Sequence, residues 1–216
     1  MDALLTLVNF LKKRLAEPLP GMDAQMKMAG MRRIIRQGKI QATSHAKKAG
    51  VLILFFPDND DIKLVFIRRN EYKGVHSGQI SFPGGRHEPE DRDLIETALR
   101  ETEEEIGISR NNVNLIGLLT DLFIPPSHFL VTPVVGFITE RPVFQPDPEE
   151  VKGILEVSLK DILSKDAQQV KKITIFPGVR WKVPCFYVHE TVIWGATAMI
   201  LNELVEVIRT GSVFHE

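Results

Sequence analysis

The run Arg100-Glu101-Thr102-Glu103-Glu104-Glu105-Ile106-Gly107-Ile108, with Gly84-Gly85 ahead of it, decides how the rest of the chain is read. On a helix turning about 100° per residue, Glu101, Glu104 and Glu105 fall within an arc of roughly 100°, while Glu103 points roughly the opposite way. Ile95, Leu99, Thr102 and Ile106 form a neighbouring stripe able to pack on a sheet. The spacing therefore predicts a helix from about Asp91 to Ile106 with one core edge and one acidic edge, closed by Gly107.

Carboxylates crowded on one turn repel, each like-charged pair costing roughly 0.2 to 0.5 kcal/mol. A cation offsets that cost, and hard oxygen ligands in a compact cluster suit Mg²⁺, which also takes substrate phosphate oxygens and waters. Taken alone, a run of three glutamates is more often a solvated surface. The flanking Arg100, Gly107 and Gly84-Gly85 favour the metal, since two glycines let a backbone approach a ligand closely.

Working outward, the apolar run Ala49 to Phe56 suits a buried strand, and Asp58 to Asp61 turn into a second strand, Lys63 to Ile67. Strand-like runs follow at Val113 to Phe123, Leu130 to Ile138 and Trp181 to Val188. Residues 141 to 152, with Pro142, Pro146 and Pro148, look like a polar surface connection, and a helix from about Ile193 to Arg209 closes the chain. Strands and helices interleave without regular βαβ alternation, which predicts an α/β fold with a mixed sheet covered by helices on both faces. Leu4, Leu5, Val8, Leu11 and Leu15 recur at helical spacing over residues 2–16, and Pro18, Pro20 and Gly21 stop that helix. Residues 1–45 are accordingly expected to be an N-terminal helical appendage, and 46–216 the catalytic domain.

The 216 residues carry a formal net charge of -1, with 44% hydrophobic and 25% charged side chains. That balance supplies no field for holding a polyanion, so nucleic acid is not expected as a partner. Cys185 is the only cysteine, which excludes an intramolecular disulfide and suits a reducing cytoplasm; Val183, Pro184, Phe186 and Tyr187 around it predict a packed, inert thiol. The apolar run Leu4 to Leu11 precedes Lys12, Lys13 and Arg14, the reverse of a signal peptide, and no stretch has the length of a membrane span. A soluble cytoplasmic protein without membrane partners is the expectation.

The segment around the acidic helix resembles the Nudix box, G-x5-E-x7-R-E-U-x-E-E-x-G-U with U bulky and apolar. Arg100, Glu101, Glu104, Glu105, Gly107 and Ile108 match it, and Thr102 departs from it. Eight residues, 92 to 99, separate Asp91 from Arg100 where the general pattern has seven. That extension resembles the coenzyme A diphosphatase branch, and it leaves open whether Asp91 or Glu90 pairs with Arg100. The resemblance implies a Nudix-type α/β/α sandwich and a magnesium- or manganese-dependent diphosphatase. Glu101, Glu104 and Glu105 would hold the metal with the Gly84 carbonyl, and Arg100 would orient a carboxylate. Which glutamate accepts a proton stays open. Glu149 or Glu150 is a further base or ligand on one reading, and a plain surface carboxylate on the more ordinary one.

Upstream, Arg68-Arg69-Asn70-Glu71-Tyr72-Lys73-Gly74-Val75-His76-Ser77-Gly78-Gln79-Ile80-Ser81-Phe82-Pro83-Gly84-Gly85 resembles the extra motif of that branch, R-[SA]-x3-R-x3-G-x3-F-P-G-G. Arg69, Gly78, Phe82, Pro83, Gly84 and Gly85 match; Asn70 replaces a small residue and Gly74 an arginine, with Lys73 beside the gap. The resemblance implies a small nucleotide substrate of the coenzyme A class, with Arg69, Lys73, His76, Ser77 and Gln79 in its binding site and Lys73 offered to the 3′-phosphate. Val131 to Gly136 and Trp194 to Ala198 also resemble that branch, and Trp194 is equally readable as helical core. Two rivals stand: a hydrolase of ADP-ribose or NADH, and a module that binds a nucleotide without cleaving it. The oligomeric state is open, a homodimer included.

Overall fold

The expected strand at Ala49 to Phe56 is β1, Lys47–Asp58, and it explains why the run is apolar without alternation. Leu52, Leu54 and Phe56 point to one face of the sheet and Ile53 and Phe55 to the other, and both faces are covered. In this computed structural model, residues 2–30, 45–70, 78–176 and 179–211 are described, with the backbone only at 175, 176 and 179. The turn at Asp58 and Asp61 leads into β2, Asp61–Arg69, antiparallel to β1 with Phe55 opposite Leu64. Next come β3, Ile80–Ser81, and β4, Gly84–Arg86; β4 pairs with the first half of β1, setting Gly50 opposite Gly85.

The expected strand at Val113 to Phe123 is two strands, β5, Asn114–Leu118, and β6, Leu122–Ile124. Both pair with β7, Phe129–Phe137, which lies parallel to β1 with Leu52 opposite Val134. β8, Val151–Ser158, runs antiparallel to β2, so the polar connection after Arg141 ends at Glu150. One parallel pair among antiparallel ones makes the sheet mixed, its main path running β3-β2-β1-β7-β5. A smaller sheet of β9, Gln168–Phe176, β10, Val179–Val188, and β11, Thr191–Trp194, stands apart. Cys185 lies buried in β10, as its apolar neighbours predict.

Two helix layers flank the main sheet, as the mixed α/β reading expects. On one face the acidic helix packs Ala98 and Ile106 against Leu52, Leu54, Val65, Ile67 and Val134. On the other lie α1, Asp2–Arg14, the short α2, Gly21–Met26, and the closing helix, Gly195–Arg209. Leu4, Leu7, Val8 and Leu11 of α1 share one core with Leu201, Leu204, Val205 and Ile208 of the closing helix. Full burial of such side chains contributes about 1.5 to 3 kcal/mol each. The helix expected as an appendage thus places its apolar stripe inside the domain's own core. Trp194 ends β11 rather than lying within the closing helix, which begins at Gly195. Among the described residues no helix is long and apolar enough to cross a membrane.

Candidate active site

The acidic helix, α3, runs Leu94–Ile106 and starts three residues later than its periodicity suggests. Asp93 is its N-cap, accepting from the Glu96 amide at 2.9 Å, which satisfies a donor that the first helical turn leaves free. Asp91 therefore stays outside the helix, buried within an otherwise exposed turn. Its Oδ2 accepts from the Glu88 amide at 3.0 Å and from Thr97 Oγ1 at 2.8 Å. At the other end Gly107 takes φ +73°, the left-handed cap, and its amide donates to the Glu103 carbonyl.

Glycines bring the acidic edge against the sheet. A side chain at Gly50 of β1 would meet the Leu94 carbonyl and the Ala98 backbone, and one at Gly85 of β4 would meet the Glu101 carboxylate. The helix can lie this close only where the strands present bare backbone. Thr102, which departs from the apolar residue of the motif, is fully buried and donates to the Ala98 carbonyl at 2.6 Å, so its hydroxyl is satisfied within the helix.

Arg100 is tied on every side. Its Nε donates to Asp91 Oδ1 at 2.9 Å and its Nη2 to Asp91 Oδ2 at 3.1 Å, the planar two-pronged contact that an ammonium cannot copy. That pairing answers the choice between Asp91 and Glu90 in favour of Asp91, whose carboxyl it holds well below the usual carboxylate range. Nη2 also donates to the Arg86 carbonyl at 3.1 Å and lies 3.0 Å from Glu101 Oε1, while Nη1 donates to Glu104 Oε2 at 2.9 Å. Arg100 thus links the turn at 86–91 to two of the three predicted glutamates.

The third, Glu105, is different. It is 1% exposed, its Oε2 accepts from the Gly84 amide at 2.8 Å, and Arg69 Nη1 stands 3.4 Å from its Oε1. Burial pushes its carboxyl up to about 8 against the partial relief of the Gly84 amide and the Arg69 charge, and the charges of Glu101 and Glu150 push it further. Burial likewise raises Glu101, with Arg100 countering it and Glu104 and Glu150 adding to it. Glu104 sits at the rim, its side chain 58% exposed. Glu101 and Glu105 are thus hard oxygen donors whose burial outweighs the relief from Arg100 and Arg69, which fits a divalent cation, with Glu104 at the edge of reach. Among the described residues no three carboxylate, imidazole or thiol groups already converge as a ready ligand set. At Gly84 the group in contact with Glu105 is the amide; the predicted ligand there is the carbonyl.

Of the predicted substrate residues, Arg69 ends β2 against Glu105, and the Gln79 carbonyl accepts from the Arg69 amide at 3.1 Å. Lys73, His76 and Ser77 lie outside the described residues. For two contributors the sequence narrowed the choice only to adjacent pairs, Asp91 with Glu90 and Glu150 with Glu149.

Comparison with known proteins gives a consistent result. The NUDIX domain model matches residues 46–176. The Yersinia enterocolitica protein described as an uncharacterized Nudix hydrolase, NudL, is 36% identical over 169 residues, covering 78% of this chain and 84% of that protein. A Yersinia pestis protein of the same description is 36% identical over 143 residues, 66% of this chain and 71% of its own length. Among solved structures, a MutT/nudix family protein from Enterococcus faecalis superposes with a TM-score of 0.49 at 14% identity, over 86% of this chain and 70% of that one.

Proposed function

This chain belongs to the Nudix family, and from that premise we propose that it cleaves the diphosphate linkage of coenzyme A or its acyl derivatives, releasing adenosine 3′,5′-bisphosphate and 4′-phosphopantetheine. The family makes it a hydrolase of diphosphate bonds; the substrate is the proposal. The observation that supports it most is the approach of Arg69 to Glu105 at 3.4 Å. The segment that resembles the coenzyme A motif begins there, so it is rooted on the helix that carries the acidic edge.

Glu101, Glu104 and Glu105 are the residues that would hold magnesium or manganese. Such an ion, when bound, neutralises diphosphate charge and lowers the pKa of a bound water. The chain's own groups do the rest. Arg100, fixed by Asp91, sets the positions of Glu101 and Glu104 and stays clear of substrate. Burial pushes the carboxyl of Glu105 up to about 8, so a bound cation would favour its ionised form. Arg69 offers a guanidinium to substrate phosphate at the mouth, and Lys73 a further cation to the 3′-phosphate. Glu150, on the turn bonded to the Glu105 carbonyl through the Asp147 amide, is the candidate for accepting a proton from water.

The test incubates the protein and Mg²⁺ with coenzyme A, NADH, ADP-ribose and a capped nucleotide and identifies products by mass. Coenzyme A is expected to give the two named products. Preferential cleavage of ADP-ribose or NADH would overturn the substrate assignment. Binding of any of them without cleavage would leave a nucleotide-sensing module.

A further inference from the structure

Asn70 follows Arg69 at the end of β2, and it meets three successive carbonyls of a distant turn. Its side-chain amide donates to Pro148 O at 2.8 Å and to Glu149 O at 2.7 Å, and its backbone amide donates to Glu150 O at 3.0 Å. Its own carbonyl accepts from the Gly78 amide at 3.3 Å, so residues 70 and 78 meet at the root of the segment between them. A serine or alanine, the residue types of the motif this segment resembles, has no amide and could not reach both side-chain acceptors.

The turn is pinned from its other side by α3. Gln145 N donates to Ile106 O at 2.9 Å and Asp147 N to Glu105 O at 3.0 Å, which uses carbonyls that the end of a helix leaves free. Within the turn Asp147 O accepts from Glu150 N at 3.2 Å and Val151 N at 2.8 Å, and Asp147 Oδ1 from Glu149 N at 2.9 Å. Glu150 is exposed, and its backbone bonds fix where its side chain leaves the turn. The turn that carries it is bonded to α3 at Glu105 and Ile106, and Glu105 is one of the three predicted ligands.

We propose that Asn70 is a positioning residue: by gripping the carbonyls of 148–150 it holds the turn that carries Glu150 against the C-terminal end of α3 and ties the end of β2 to the same turn. The inference deepens the diphosphatase reading and rests on it for its kinetic arm. A turn-stabilising bond alone would change thermal stability and leave the ion affinity and the chemical step untouched, so the role is separable from plain structure.

The experiment compares the parent with Asn70→Ala, Asn70→Ser, Glu150→Gln and the double variant Asn70→Ala/Glu150→Gln. Calorimetric titration with Mn²⁺ in the absence of nucleotide, kcat and KM for the diphosphate that the parent cleaves, and Tm are read for each. Loss of a group that orients a site residue lowers activity or ion affinity by roughly 10- to 100-fold. Asn70→Ala and Asn70→Ser are expected toward the lower end of that range in kcat and in Mn²⁺ affinity, with KM within about twofold. The double variant should be no worse than Glu150→Gln, because one residue acts through the other. Multiplying losses in the double variant would overturn the proposal, as would Mn²⁺ affinity and kcat equal to the parent in either single Asn70 variant. If the parent binds Mn²⁺ yet cleaves no diphosphate, the functional reading fails while the Mn²⁺ arm still decides the role of Asn70.

Discussion

Glu105 and Glu203 are both shut off from solvent, 1% and 0% exposed, and their surroundings could hardly differ more. Glu203, on the closing helix, accepts from Gln25 Nε2 at 2.8 Å and from the Thr120 amide at 3.2 Å. Gln25 Nε2 also donates to the Thr120 carbonyl at 2.9 Å, and the neighbouring Asn202 donates to Ala24 O at 2.7 Å. Each oxygen of Glu203 therefore has a donor, and the donors join three separate parts of the chain. Glu105 has one close amide, a guanidinium at 3.4 Å, and the like charges of Glu101 and Glu150 nearby. Burial of a carboxylate is thus no mark of function in itself. The mark is burial among other carboxylates with too few donors to offset them.

The sharpest way to break this contrast is to neutralise each group. Glu105→Gln is expected to reduce diphosphate turnover by roughly 100-fold or more, since shape is kept and ligand charge lost, with circular dichroism unchanged. Glu203→Ala should act on stability instead. Stranding its buried donors costs about 1 to 3 kcal/mol, read by urea unfolding, while kcat per folded molecule stays at the parent value. A Glu203→Ala protein of parental stability and lost activity would collapse the distinction.

Titration sharpens the contrast next. The folded-state carboxyl of Glu105 lies at about 8 against 4.5 for an ordinary glutamate. Between those values the folded chain binds more protons than the unfolded one, so stability falls as pH rises through that window and levels off above it. In chelator, the parent should lose on the order of a few kcal/mol from pH 5 to pH 8 relative to Glu105→Gln. Mg²⁺ at pH 8 should restore it by binding the folded form. Equal pH dependence of parent and variant in chelator would contradict the picture of Glu105 as an uncompensated buried acid.

A smaller effect is expected from Arg100→Lys, which keeps the charge and loses the two-pronged hold on Asp91. Stability should fall by about 1 to 3 kcal/mol, and kcat should fall while KM holds, as the proposed role of Arg100 in setting the glutamates requires. A change confined to KM would place Arg100 at the substrate. The smallest effect belongs to Thr102→Val on the same helix, within about 1 kcal/mol by thermal unfolding, since a satisfied hydroxyl is exchanged for a methyl. A loss of turnover there would show that any change on α3 disables the site, and the special standing of Glu105 would go.

The acidic face of α3 is legible in the sequence because helical period alone brings Glu101, Glu104 and Glu105 together, and β1 because both its faces are buried. The start of α3 is not, since its periodicity continues back to Asp91 and only the bond from Glu96 to Asp93 ends it. Asp91 and Glu90 are neighbours in sequence, and only the fold, which buries Asp91 and leaves Glu90 exposed, chooses between them. Strand β8 is interrupted by Lys152, Gly153 and Glu156, and β9 by Lys171 and Lys172, polar or small residues that weaken the apolar signal. Glu203 and Gln25 are beyond any local pattern, being 178 residues apart. The same holds for the grip of Asn70 on residues 148 and 149, 78 and 79 positions away.

The shared core of α1 and the closing helix also sets a timetable for biosynthesis. Arg14 Nε donates to Thr210 Oγ1 at 3.2 Å across 196 positions, and Leu4, Leu7, Val8 and Leu11 pack with Leu201, Leu204, Val205 and Ile208. At ordinary elongation rates the ribosome needs about 10 to 40 s to make the second set after the first. For that interval the nascent chain carries an apolar stripe whose cover has not been synthesised, which makes it a natural client for a chaperone at the exit tunnel.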